Sequence, residues 1–189
     1  PKHPEMGTHT VTFSRNLYIE REDFLQCPVP KYKRLYPDGM ECRLKGAYLV
    51  RCAGCRTDED GNVVEVFAEY DPDSRGGNPA DGRKVKGATI HWVDAATAIT
   101  AEVRLYDNLF SDAAPDAGGK NFLDCLNPDS LEVLTDCKLE ASLAGAQSPA
   151  SFQFMRQGYF CVDNRDSTPE HLVFNRSVSL KDSFNKGAK

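Results

Sequence analysis

The stretch Ala47-Tyr-Leu-Val-Arg-Cys52, the turn Asp58-Glu-Asp-Gly-Asn62 and the stretch Val63-Val-Glu-Val-Phe-Ala-Glu-Tyr70 decide the fold class. Two runs rich in β-branched and aromatic residues bracket an acidic turn containing glycine, which is the composition of a β-hairpin. The acidic residues also raise calcium, but the spacing lacks the twelve-residue loop ending in Glu, so the segment reads as a turn. The same reading extends outward. Short strands are expected over 11–13, 17–20, 40–44, 88–93, 99–106, 131–134, 137–139, 151–154, 158–162 and 173–180. One or two helical turns fit 121–126, stopped before Pro128. No segment sustains helical periodicity for more than about three turns. So many short strands at close spacing imply sandwiches or barrels, and their number fits two small barrels better than one. The Gly/Pro/Asp-rich stretch 71–81 is the expected seam. The polar end, 183–189, is expected to fray.

The bulk numbers narrow the function classes. At 189 residues the chain suits one large domain or two small ones. Hydrophobic content of 40% and charged content of 27% are ordinary for a folded soluble protein. No apolar run approaches the roughly 18 residues needed to span a bilayer, and no secretory signal opens the chain. It starts at Pro1, without Met, which fits a piece of a longer protein. Seven scattered cysteines argue against a disulfide framework and for a reducing cytoplasm. Cys52-Ala-Gly-Cys55 has CxxC spacing, but no second CxxC follows and no His lies near to complete a tetrahedral metal site. A redox CxxC opens a helix, whereas this one follows a strand-like run. The net charge of −5 disfavours a general nucleic-acid coat protein, so any nucleic-acid role should be local and specific.

Against that charge, Lys31-Tyr-Lys-Arg-Leu-Tyr36 and Cys42-Arg-Leu-Lys-Gly46 concentrate basic and aromatic side chains. Such a cluster suits an anionic partner that also offers flat faces, as unpaired nucleotides do. A solvated strand edge, where Lys and Arg discourage aggregation, is the plain alternative. The segment Arg83-Lys-Val-Lys86 poses the same choice between phosphate contact and edge protection, with Lys84 and Lys86 on one face if a strand has begun. No Walker loop and no G-x-S-x-G elbow is present. His91 and Trp92 lie in a buried-looking strand and read as structural. Carboxylate pairs such as Glu20/Glu22 and Asp58/Asp60 occupy exposed or turn contexts without an acid–base signature. The residues alone thus describe a non-catalytic β module suited to single-stranded nucleic acid.

A further set of motifs runs in order along the chain. These are His3-Pro-Glu-Met-Gly7, Ile19-Glu-Arg-Glu-Asp-Phe24, Tyr32-Lys-Arg-Leu35, Pro79-Ala-Asp-Gly-Arg-Lys-Val-Lys-Gly87 and Ile90-His-Trp-Val93. Arg104-Leu-Tyr-Asp107, Phe152-Gln-Phe154, Gly158-Tyr-Phe-Cys161 and Phe174-Asn-Arg-Ser-Val-Ser-Leu-Lys-Asp182 follow. Together they resemble the C-terminal anticodon-binding region of bacterial glutaminyl-tRNA synthetase, a class I enzyme. The resemblance implies an all-β fold of two small six-stranded-type β-barrels, proximal and distal to a catalytic body, related as a duplication and carrying short helical turns. The first is expected over 1–86 and the second over 87–189, with the C-terminal strand and tail as candidates to return to the first. The class I catalytic signatures HIGH and KMSKS are absent from the chain. The full enzyme would join glutamine to tRNA-Gln using ATP and magnesium. This region would hold no cofactor or metal and catalyse nothing alone. Its implied partners are the anticodon loop and the catalytic domain of the same chain, in a cytoplasmic monomer with no membrane association.

The resemblance also assigns residues. Lys33 and Arg34 align with the group that holds the third anticodon base, a guanine, whose O6 and N7 suit the two parallel donors of Arg. Arg43 and Lys45 align with a basic pair at the first base, and their i, i+2 spacing shares one strand face. The family has Arg where Lys45 stands, and Lys lacks the planar fork, a change that suits a site accepting C or U. Gln153 and Arg156 align with the pocket for the central uracil, and their i, i+3 spacing requires a bend or bulge. Lys31, where the family has Gln, joins Arg83, Lys84 and Lys86 as candidate phosphate contacts. Three other readings stay open: an archaeal or eukaryotic type of glutamyl-tRNA synthetase, an rRNA-binding β-barrel without enzymatic activity, and a purely structural module.

Overall fold

The computed structural model describes Glu5 and residues 7–180. Most of the motif at residues 3–7 and the polar tail from 181 lie outside the described residues. Among the described residues the chain is all-β, with eleven strands joined by loops and short 3-10 turns. In chain order these are β1 (Leu17–Ile19), β2 (Cys42–Leu44), β3 (Leu49–Thr57), β4 (Val63–Asp71), β5 (Thr89–Ile90) and β6 (Trp92–Asp94). Then come β7 (Ile99–Tyr106), β8 (Leu131–Leu139), β9 (Ser151–Phe154), β10 (Gly158–Val162) and β11 (Leu172–Ser179). Among the described residues no helix is long and apolar enough to cross a membrane.

The strands form two compact units that divide at Thr97/Ala98 rather than at 86/87. The reason is strand return. β5 runs parallel to β2, and β6 runs antiparallel to β1, so residues 89–94 belong to the first unit. The loop expected as a seam is likewise part of that unit. Buried Ser74 accepts from the Leu49 N–H at 2.8 Å and donates to the Asp71 carbonyl at 2.6 Å, while the Gly76 N–H reaches the Ala47 carbonyl at 2.6 Å. In the second unit, β11 pairs with β7 and β10, so the last described strand stays there.

The first unit contains a sheet of order β4-β3-β2-β5 and a small β1–β6 pair. The expected hairpin is β3–β4. At its turn Asp58 accepts from the backbone N–H groups of Asp60 and Asn62, and these donors, Asn62 foremost, hold its carboxyl below the usual range. Bulges at Cys52/Gly54 and Arg56/Thr57 twist the pair. Alternation puts Cys42, Leu44, Val50, Ile90 and Trp92 into the core with Phe24 and Leu35. The Trp92 indole N–H donates to the Lys45 carbonyl at 3.0 Å, so its one polar atom is satisfied. Residues 11–13, expected as a strand, join no ladder among the described residues, yet Phe13 packs 5.4 Å from the Trp92 ring.

The second unit is one sheet of order β8-β7-β11-β10-β9 over a core of Ala101, Val103, Phe160, Val162, Leu172 and Phe174. β8 is a single strand where two were expected, because its pairing with β7 continues through a bulge at Ala101/Val103. Both units share a motif: an antiparallel pair (β2–β3, β7–β8) with a later strand (β5, β11) returning parallel to the first of the pair. Parallel neighbours need a long crossover, which explains the loop-rich sequence between them. The sheets are open. Among the described residues no ladder closes a ring, so the expected barrels are not closed by strand pairing.

A polar knot lies on β7 and the β10–β11 connection. Arg104 donates to Glu102 at 2.6 Å and to Asp166 at 2.7 Å. Asp163 accepts from the backbone N–H groups of Asp166 and Arg165 and from the Asn175 amide. These donors hold the Asp163 carboxyl down at about 2. A depressed carboxylate stabilises the fold above its unfolded pKa of about 3.9, and that contribution disappears as pH falls through the folded value. Asp163→Asn should therefore be less stable than the parent at pH 6, and the gap should close between about pH 4 and 2, read by urea denaturation. At Gly87 a Cβ would stand 2.0 Å from the Glu41 carbonyl oxygen. Gly87→Ala should cost about 1–3 kcal/mol, measured by the same denaturation.

Candidate nucleic-acid interface

The basic-aromatic stretch 31–36 is a loop, not a strand edge, and Leu35 anchors it. Leu35 is buried, its N–H donates to the Asp23 carbonyl at 3.0 Å, and its carbonyl accepts from Leu25 at 3.1 Å. With Leu35 fixed, Lys31 and Lys33 point to solvent, while Tyr32 and Arg34 are half-buried. The Tyr32 hydroxyl donates to the Glu22 carbonyl at 3.0 Å, and burial pushes its pKa up to about 12. Lys31 adopts φ 68, a left-handed turn conformation.

Arg34 is tightly constrained. Its Nε lies 3.2 Å from a carboxylate oxygen of Asp23, which is fully buried. Its Nη1 donates to the Glu22 carbonyl at 3.1 Å and faces the Glu22 carboxylate at 3.4 Å. Two of the three guanidinium nitrogens are thus held by protein groups. Arg34 is first the counter-ion of a buried acid, and Lys33 is the outward cation of the pair.

Ala88 joins this loop to β2 and to the incoming strand β5. The Ala88 N–H donates to the Lys33 carbonyl at 2.7 Å, and its carbonyl accepts from the Arg43 N–H at 3.0 Å. The Lys45 N–H continues the ladder to the Ile90 carbonyl at 3.0 Å. Lys33, Arg43, Lys45 and the approach segment with Lys84 and Lys86 are therefore brought together. As the spacing predicts, Cys42 and Leu44 point inward while Arg43 and Lys45 point out. Arg43 is half-buried and donates from Nε to the Gly77 carbonyl at 2.7 Å, whereas Lys45 is exposed. Lys84 and Lys86 precede the strand, which begins only at Thr89, and both are exposed around half-buried Val85. Among the described residues, the ammonium groups of Lys33, Lys45, Lys84 and Lys86 form no ion pair.

Arg83 has a different role from the expected phosphate contact. It donates twice to Glu41, at 3.0 and 2.8 Å, once to Asp71 at 2.6 Å and once to Asp81 at 3.0 Å. An anion arriving there would meet three carboxylates. Arg83 is a tie that fastens the loop after β4 to the start of β2.

In the second unit, β9 and β10 form a tight hairpin with Phe154 opposite Gly158. Gln153 is exposed on β9 and Arg156 sits in the turn at φ 65. The bend required between them is the hairpin turn itself rather than a bulge. Tyr159, directly opposite Gln153, is 46% exposed and was not legible as a site residue, because its motif position alone does not reveal which face it takes. Of the CxxC pair, Cys52 is buried, and burial pushes its thiol up, away from the thiolate that redox or metal chemistry needs. Among the described residues no group of three or more His, Cys, Asp or Glu side chains gathers to hold a metal.

Comparisons with known proteins converge on one family. Two models described as "tRNA synthetases class I (E and Q), anti-codon binding domain" match residues 1–71 and 89–163, together most of the chain. Curated relatives named glutamine–tRNA ligase match throughout. The chain is 56% identical to that of Cupriavidus taiwanensis over 98% of its length and 32% of the relative's. For Pseudomonas syringae pv. tomato the figures are 51%, 97% and 32%, and for Vibrio cholerae 50%, 98% and 33%. The chain spans about a third of the length of the curated relatives it matches. It therefore belongs to the anticodon-binding domains of the class I (E and Q) tRNA synthetases.

Proposed function

We propose that the chain is the anticodon-reading part of a cytoplasmic, monomeric glutamine–tRNA ligase. In this reading it selects tRNA-Gln, and the rest of the protein joins glutamine to it with ATP and magnesium. The observation that carries the reading is identity of 50–56% to glutamine–tRNA ligases over nearly the whole chain. The chain supplies recognition, and the chemistry belongs elsewhere in the protein.

The base readers follow the same division. Lys33 and Arg34 take the third anticodon base, a guanine, Arg43 and Lys45 the first, and Gln153 and Arg156 the central uracil. Lys31, Lys84 and Lys86 attract the phosphate backbone, and Arg83 has no part in it. What supports the set in the first unit is its convergence around Ala88 with outward ammonium groups. Phosphate contacts position the loop, and the base-edge contacts supply the selectivity.

Two measurements test this. The protein should bind an anticodon stem-loop ending its anticodon in UG more tightly than one ending in UC, and the preference should persist as salt rises. Preference for UC would point to a glutamate enzyme, and weak equal binding lost with salt would leave only phosphate attraction. Arg34→Ala should weaken binding and relax selectivity at the third base. It should also lower stability by about 1–3 kcal/mol, because the buried Asp23 carboxylate loses a partly exposed counter-ion. Equal affinity loss for every third base would refute the assignment. Arg34→Lys keeps the charge but not the planar fork, and should recover less selectivity than affinity.

A further inference from the structure

We propose that Tyr159 is the platform on which the base read by Gln153 stacks, an inference that rests on the anticodon-binding reading above. Three observations meet on the β9–β10 hairpin. First, register places Tyr159 directly opposite Gln153 on β9 and beside Val178 on β11. Directly opposed residues on one face have Cβ atoms about 4.5–5.5 Å apart, so an amide and an aromatic ring stand side by side. Second, the inward residues of this hairpin are fully used: Phe154 and Phe160 stack at 4.3 Å, and Phe152 and Phe154 both meet Phe174. Tyr159 takes the opposite face. Among the described residues its ring meets no other ring and its hydroxyl bonds no partner. Val178, 58% exposed, widens the apolar shelf on its far side. Third, residues 151–162 contain no Asp or Glu, in a chain whose net charge is −5, and Arg156 lies in the turn.

A solvent-facing Tyr on a strand is ordinary when it stands alone. Here β10 is an inner strand, so Tyr159 occupies the middle of a sheet face rather than an edge. A flat ring, an amide that both donates and accepts, and a nearby cation are the groups that hold an unstacked base. Stacking on an aromatic ring tolerates any base because each has a π-face. The two residues therefore divide the work: Tyr159 holds the base flat and Gln153 reads its edge. Loss of the platform should weaken binding alike for uracil and cytosine at the middle position. Loss of the reader should erase the preference between them.

The test uses the full-length protein and anticodon stem-loops carrying U, C or an abasic site at the middle position. Tyr159→Ala should weaken binding of the U and C loops on the order of 10-fold. It should leave the abasic loop unchanged. Tyr159→Phe, which keeps the ring, should bind like the parent. A stem-loop with 2-aminopurine at that position should show fluorescence quenching on binding to the parent and the Phe variant, and none on Tyr159→Ala. Unchanged affinity in Tyr159→Ala, or an equal loss with the abasic loop, overturns the proposal. If Gln153→Ala abolishes the U-over-C preference while Tyr159→Ala is silent, the platform alone is overturned. If neither variant changes anything while the loops still bind, the hairpin reads no base, and the platform falls together with the assignment beneath it.

Discussion

The close passage of Gly87 over the start of β2 is the constraint on which the first unit depends. A parallel strand cannot be reached by a short turn, so the chain must leave β2, build the β3–β4 hairpin and return. The return is guided on both sides of Gly87. Before it, Arg83 ties the incoming loop to Glu41 and Asp71. After it, Ala88 bonds to both Lys33 and Arg43. Only a residue without a Cβ fits between, because the Glu41 carbonyl and the Cys42 sulfur occupy the space a side chain would need. The basic cluster is a product of this packing, since its members come from three segments that Ala88 joins.

Fold class was legible because period-2 alternation survives even in short strands. Cys42, Leu44, Ala101 and Val103 are buried where the alternation places them. The hairpin turn at Asp58 was legible from its own chemistry, with a side chain that accepts from the backbone two and four residues on. The unit boundary was not legible. Local composition marks 71–81 as a loop, but whether a loop links two units or folds back on one depends on distant partners. Here buried Ser74 and the pairing of β5 with β2 decide it, and no local pattern encodes either. Ring closure is hidden for the same reason: strand count does not reveal which edges pair.

The candidate site divides along similar lines. Residue identity marks the cations, and i, i+2 spacing orients Arg43 and Lys45. What spacing cannot show is which cations are already engaged. Arg83 and Lys84 are sequence neighbours of the same charge, yet one is fastened to three carboxylates and the other faces solvent. The carboxylates come from positions 41, 71 and 81, so the distinction appears only once the sheet has formed. The net charge of −5 is distributed with the same selectivity. Some of these acidic side chains order loops by local or cross-loop bonds, as at Asp58, Asp71 and Asp163.

The tether of Arg34 to Asp23 has a consequence for how such a module changes its preference. Under the proposed assignment Arg34 both reads a base and neutralises a buried acid, so any side chain that replaces it inherits Asp23 and must satisfy it. Arg43 carries a similar obligation through the Gly77 carbonyl. Lys45, Lys33 and Gln153 carry no such side-chain bond among the described residues. Drift in decoding should therefore be quick at the untethered positions and slow at the tethered ones, where a change of base requires two or more coordinated substitutions. A designer wishing to retarget the module would transplant Arg34 and its acidic neighbours as one block, and treat the free lysines and Gln153 as individually adjustable.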